Sequence, residues 1–214
     1  MDVRFSSHVR LLRIIHEMKL LVVDHGTAYL EELKNLLVSH DVSVVPWREF
    51  SPEQALSFDA LVFSGGRGYS IVNHENEYQA ELDYIKRANR PMIGICLGFE
   101  LIAYAFGATI RHLKEKQKGH IPLEVIRSHP VTDELDGAMV YESHQWVITD
   151  VSKPLIGLAV SRDGYEIVMH ETKPIIGFQF HPEMSSDGGK IIHQCLEQFG
   201  SKSAAKRIAI PSGL

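Results

Sequence analysis

The first half of the chain alternates between two hydrophobic periods. Lys19-Leu-Leu-Val-Val23 is a short apolar run rich in β-branched residues, the pattern of a strand buried on both faces. Between Thr27 and Ser39, Leu30, Leu33, Leu36 and Leu37 recur at helical spacing. Val42–Val45 and Ala60–Phe63 read as strands, the second stopped by Gly65-Gly66. Glu77–Asn89 predicts a helix with Tyr78, Leu82 and Ile85 on one face, Met92–Ile95 a strand, and Leu97–Phe106 a helix. Strands alternating with helices predict an α/β fold, doubly wound, with a mostly parallel central sheet and helices on both faces. Ligands of such sheets gather at the carboxyl ends of the strands, where Gly65-Gly66 and Cys96 stand.

The second half changes character. Pro122–Ile126, Ala138–Tyr141, Leu155–Val160, Glu166–His170 and Ile175–Phe180 read as short strands with few helices between them, a small antiparallel β addition. Asp187–Phe199 predicts a closing helix with Ile191, Ile192, Cys195, Leu196 and Phe199 inward. No internal repeat or low-complexity tract interrupts the pattern. It divides the chain into an extension over residues 1–17, one domain over 18–200 and a tail over 201–214. The extension mixes Arg4, Arg10 and Arg13 with Leu11, Leu12, Ile14 and Ile15, and lacks the apolar core and cleavage site of a secretory signal. Met18, just before the first strand, is an alternative start.

Composition narrows the classes. With 214 residues, 44% hydrophobic, 23% charged and a net charge of -5, the chain has the profile of an ordinary globular domain without a basic nucleic-acid footprint. No apolar run reaches the ~20 residues of a membrane span. Two cysteines, Cys96 and Cys195, make no disulfide framework and suit a reducing, cytoplasmic setting. No His-Glu-x-x-His, paired Cys-x-x-Cys or Gly-x-x-x-x-Gly-Lys spacing is present, so neither metal nor cofactor is assigned, and no nucleic-acid or membrane partner is expected.

The most informative stretch is Gly94-Ile-Cys-Leu-Gly98, between a strand and a helix. A nucleophile between two glycines at such a junction is an elbow: the chain turns sharply and exposes the side chain. The helix N-terminus adds partial positive charge that favours thiolate, the attacking species. The N–H of Leu97, the next residue, is placed to bind an oxyanion. A buried structural cysteine is the competing reading. A thiol nucleophile needs a base, and the base needs an orienting group. Of 12 histidines, His181 stands out because it ends the strand Ile175–Phe180 and is followed by Pro182 and Glu183, whose carboxylate can turn back to the ring. His144, in Glu142-Ser-His-Gln-Trp146, is the second candidate.

Taken together, Phe63-Ser-Gly-Gly66, Gly94-Ile-Cys-Leu-Gly98 and Gly177-Phe-Gln-Phe-His-Pro-Glu183, in that order and at these separations, resemble the class I glutamine amidotransferase domain from about Lys19 to Phe199. The resemblance implies a flavodoxin-like fold and a Cys-His-Glu triad of Cys96, His181 and Glu183. In that chemistry Cys96 attacks the glutamine side-chain amide, a glutamyl-thioester forms, and ammonia passes to a separate synthase. It also implies an oxyanion hole from the N–H groups of Gly66 and Leu97, a loop shaped by Gly68, and substrate contacts from Gln145 and Trp146. The synthase classes implied are those making GMP, anthranilate, aminodeoxychorismate or carbamoyl phosphate, with Asp24-His25-Gly26 closest to the GMP type.

Three positions depart from the family pattern. Phe99 and Glu100 replace His-Gln, Arg67 stands where Pro is frequent, and Asp24-His25 replaces Asp-Asn. If ionised, Glu100 would repel a substrate carboxylate and raise the Cys96 pKa, so Glu100→Gln is expected to raise glutaminase activity. These departures keep two alternatives open: a hydrolase of γ-glutamyl amides or peptides, and a non-catalytic partner of a synthase.

Overall fold

The computed structural model describes residues 17–208, with side chains through Ser201. The extension expected over residues 1–17 thus lies almost wholly outside the described residues, as do residues 209–214. Among the described residues ten strands form one sheet: β1 (Lys19–His25), β2 (Asp41–Pro46), β3 (Ala60–Gly66), β4 (Met92–Ile95), β5 (Thr109–Pro122), β6 (Glu124–Val125), β7 (Met139–Asp150), β8 (Leu155–Val160), β9 (Tyr165–His170) and β10 (Ile175–Phe178). The helices are α1 (Leu30–Leu36), α2 (Pro52–Ala55), α3 (Gln79–Arg87), α4 (Leu97–Ala105) and α5 (Ser186–Ile208).

The main path runs β2-β1-β3-β4-β10-β9-β7-β5, with β8 on β9 and β6 on β8. Pairing is parallel from β2 to β10 and antiparallel beyond; of the second-half strands, β10 joins the parallel part and the others form the antiparallel addition. The double winding follows from strand alternation. Leu20, Val22, Val62 and Ile93 face a core completed by Leu33 of α1 and Ile191, Ile192 and Leu196 of α5. Leu21, Val23, Leu61 and Phe63 face the opposite core with Leu82 and Ile85 of α3 and Leu101 and Ile102 of α4.

Two strands depart from the hydrophobic pattern. The strand expected over Pro122–Ile126 is the short β6, β5 before it was not expected, and β7, expected over Ala138–Tyr141, runs on to Asp150. Together β5 and β7 form a two-stranded ribbon in which β5 is mostly solvated and β7 turns alternate residues inward, held by the backbone ladder and broken by an irregularity between His112 and Gln117. Little of β5 is buried, so it carries no apolar alternation to read. α5 likewise continues past Phe199 to Ile208. No helix among the described residues is long and apolar enough to cross a membrane.

Candidate active site

The elbow is built by steric exclusion. Cys96 links β4 to α4 at φ 49°, ψ -104°, a positive φ that costs a non-glycine residue energy. Its N–H donates to the Phe178 carbonyl at 2.8 Å, tying the turn to neighbouring β10. A Cβ on Gly94 would lie 2.5 Å from the Gly98 carbonyl oxygen, and one on Gly98 would collide with the Phe63 carbonyl. Only glycines let strand, turn and helix close this tightly.

β10 runs parallel beside β4, pairing Phe178 with Ile95, so Cys96 and His181 leave the same end of adjacent strands. The two flank one glycine: a Cβ on Gly65 would lie 2.8 Å from His181 Cε1 and 3.5 Å from Cys96 Cβ. His181 is 3% exposed, and its Nδ1 is 2.9 Å from Glu183 Oε1. A carboxylate only accepts, so Nδ1 carries the proton and Nε2 is left as the basic nitrogen. The His181 N–H donates to Tyr141 O, and the Tyr29 ring packs edge-on at 4.8 Å. Tyr29 is a neighbour the sequence did not reveal, because it sits in a stretch that reads as ordinary helix.

Cys96, His181, Gly66, Gly68, Leu97, Glu100, Gln145 and Trp146 all line one cavity of about 400 Å³. Arg67, Lys116 and Lys118 also line it, and the last two went unseen because β5 was not expected there. Gly66 abuts Leu97, whose Cδ2 would lie 2.5 Å from a Cβ at that position. A larger cavity, about 610 Å³, opens at the other end of the sheet beside Pro91 and Pro174 and holds none of these residues.

The electrostatics differ from the expectation of a helix-stabilised thiolate. Burial pushes the Cys96 thiol well above its usual range, and the negative charges of Glu100 and Glu183 add to this. The Leu97 N–H and the Lys116 ammonium work in the opposite direction and are outweighed. A resting thiol therefore needs a base to remove its proton. Glu100 is itself perturbed: burial raises its carboxyl to about 8, with the Gln179 amide opposing. At pH 7 about nine-tenths of it is neutral. The charge expected at this position is thus largely absent at neutral pH, and the group resembles the glutamine side chain it replaces. Phe99 is fully buried against Gly177, in a core cluster with Ala103, Ile148 and Val168, and acts as packing.

His144, the other candidate base, also borders this cavity, but both its ring nitrogens face other groups. Its Nδ1 faces the Trp146 carbonyl at 3.0 Å and its Nε2 lies 3.3 Å from Glu142 Oε1. On β7, buried Glu142 and His144 alternate with half-exposed Ser143 and Gln145.

Comparison with known proteins gives the family of the whole domain. The family model "Glutamine amidotransferase class-I" matches residues 21–199. The glutamine-hydrolysing GMP synthase subunit of Sulfolobus acidocaldarius is 31% identical over 176 residues, 78% of this chain and 90% of its own length. Anthranilate synthase component 2 of Saccharolobus solfataricus is 33% identical over 150 residues, 65% of this chain and 76% of its own. A solved structure from Thermoplasma acidophilum, described as a "putative gmp synthase subunit a protein", superposes with a TM-score of 0.80 at 27% identity, covering 90% of this chain and 98% of that one.

Proposed function

This chain belongs to the class I glutamine amidotransferase family, and from that premise we propose that it hydrolyses the side-chain amide of glutamine at Cys96 and delivers ammonia to a separate synthase. The observation that carries the reading is the convergence of a cysteine at a strained elbow and a carboxylate-oriented histidine on one glycine, Gly65.

In this reading His181 Nε2 takes the thiol proton as Sγ attacks the amide carbon, because a buried thiol does not ionise unaided. The N–H groups of Leu97 and Gly66 receive the developing oxyanion, each worth about 3 kcal/mol of barrier. His181 then protonates the departing nitrogen, ammonia leaves, and a glutamyl-thioester remains on Cys96. Water, activated by the same imidazole, releases glutamate. Glu183 holds the ring and balances its transient charge. Gln145 and Trp146 wall the glutamine pocket, Gly68 shapes its rim, and neutral Glu100 faces the substrate as a hydrogen-bonding amide would. GMP synthase is the favoured acceptor class, since glutamine-hydrolysing subunits of that enzyme are among the relatives with near-full coverage. The two cysteines, both free, suit a reducing cytoplasm.

A second reading is favoured by Arg67, Lys116 and Lys118 around the same cavity: cleavage of a γ-glutamyl amide or peptide with further carboxylates. One assay separates the two. The protein is incubated with glutamine or with γ-glutamyl peptides, alone and with candidate synthases, and glutamate and ammonia are measured. Synthase-dependent glutaminase lost in Cys96→Ala supports ammonia supply. Synthase-independent peptide cleavage supports the second reading. Turnover that survives Cys96→Ala refutes both.

A further inference from the structure

Behind the cavity wall lies a buried constellation that the amide chemistry does not use. Glu142 and His144 project from β7, and Glu166 from β9. They are 2%, 3% and 0% exposed. One donor atom from each lies within 4.8 Å of the other two. The donors face each other, and the Glu142 and Glu166 carboxyls are close enough to share a proton. His144 Nε2 is 3.3 Å from Glu142 Oε1, yet Glu142 Oε1, His144 Nε2 and Glu166 Oε2 all lack a hydrogen-bond partner among the described residues.

The surrounding groups hold these donors as ligands are held. The Trp146 carbonyl accepts from His144 Nδ1, which fixes the tautomer and leaves the Nε2 lone pair aimed into the cluster. Ser161 Oγ donates to Glu166 Oε1 at 2.8 Å and leaves Oε2 for the cluster. Two buried carboxylates cannot both ionise here without a counter-charge, and burial with the Glu142 charge drives the Glu166 carboxyl well above its ordinary range; a divalent cation would supply that counter-charge in place of the proton. Four-coordinate zinc with bonds of about 2.0–2.2 Å sets its donors about 3.3–3.6 Å apart, inside the 4.8 Å that bounds the present triangle.

The location gives such an ion work to do. β7 and β9 share a single backbone pair, Ile148 with Tyr165. A metal bridging Glu142 and His144 to Glu166 would join these strands where the ladder is sparse. It would also fix the segment Ser143–Trp146 that walls the cavity. We propose that Glu142, His144 and Glu166 form a buried site for one divalent transition-metal ion, zinc by donor set, which cross-links β7 to β9 and leaves one coordination position for water.

The test uses the full chain, stripped of metal with a chelator and titrated with Co²⁺ and then Zn²⁺. Expected are saturation at one Co²⁺ per chain, visible d–d bands without a thiolate-to-cobalt band, displacement by Zn²⁺, and a Tm gain of about 5–10 °C in large ligand excess. Glu166→Gln and His144→Ala should each weaken binding at least about tenfold, while Cys96→Ala should leave it unchanged. Failure of the folded wild type to bind one equivalent overturns the proposal, and the three side chains then share protons instead. A thiolate band that disappears in Cys96→Ala also overturns it, by moving the metal to the catalytic cysteine. Should either cluster variant fail to fold, the wild-type stoichiometry and the Cys96→Ala spectrum still decide.

Discussion

Glu100→Gln tests how the site handles charge. The substitution keeps the side chain's shape and removes its ionisation. In the wild type the carboxyl titrates at about 8 because it is buried on α4 beside Cys96. Its ionised fraction is therefore about one-tenth at pH 7, one-half at pH 8 and nine-tenths at pH 9. The ionised form raises the Cys96 thiol further and opposes a substrate carboxylate, so only the neutral form supports attack. The variant-to-wild-type ratio of kcat/KM should then rise from about 1 at pH 7 to about 10 at pH 9. The gain expected from sequence alone thus belongs to alkaline pH. The assay is initial glutamate release from glutamine between pH 6 and 9.5 at constant ionic strength, with the acceptor synthase present if basal turnover is slow. Parallel profiles for the two proteins up to pH 9.5 would refute the reasoning. So would a tenfold loss in the variant at pH 7. Stability supplies a second readout. The native carboxyl holds its proton to about 8 against an ordinary value of 4.5, so its stabilising share is complete below pH 4.5 and is lost as pH rises through 8. At pH 7 the difference is on the order of 3 kcal/mol, so Glu100→Gln should melt higher than wild type at pH 7 and equally at pH 4.

Other substitutions probe the frame around the cysteine. Gly65→Ala puts a methyl 2.8 Å from His181 Cε1, and kcat should fall about 100-fold with little change in the far-ultraviolet circular dichroism spectrum. Glu183→Gln keeps the shape but frees the His181 tautomer, so kcat should drop more than about tenfold with KM nearly unchanged, read from steady-state kinetics. Gly98→Ala drives a methyl into the Phe63 carbonyl, and urea titration should show a loss of about 3 kcal/mol or more.

Sequence alone determined the elements that repeat a local rule. Strand runs such as Leu20–Val23 and Met92–Ile95 and the leucine spacing of α1 announced a doubly wound sheet, because burial of one or both faces writes a period into the chain. Cys96 was legible because its flanking glycines answer a short-range steric demand. His181 and Glu183 were legible because strand end and carboxylate are two residues apart. Strand β5 left no such trace, since it is held to β7 by backbone hydrogen bonds and carries solvated side chains. Lys116, Lys118 and Tyr29 therefore reach the cavity unannounced. Only the tertiary structure decided the protonation of Glu100, because the same carboxyl is charged in water and neutral under a buried helix. It alone also brought Glu166 of β9 to Glu142 and His144 of β7, a pairing that no spacing in the chain betrays. Periodicity records how each segment meets the core; which side chains then meet one another depends on strand order and register, and those are set by packing across the whole sheet.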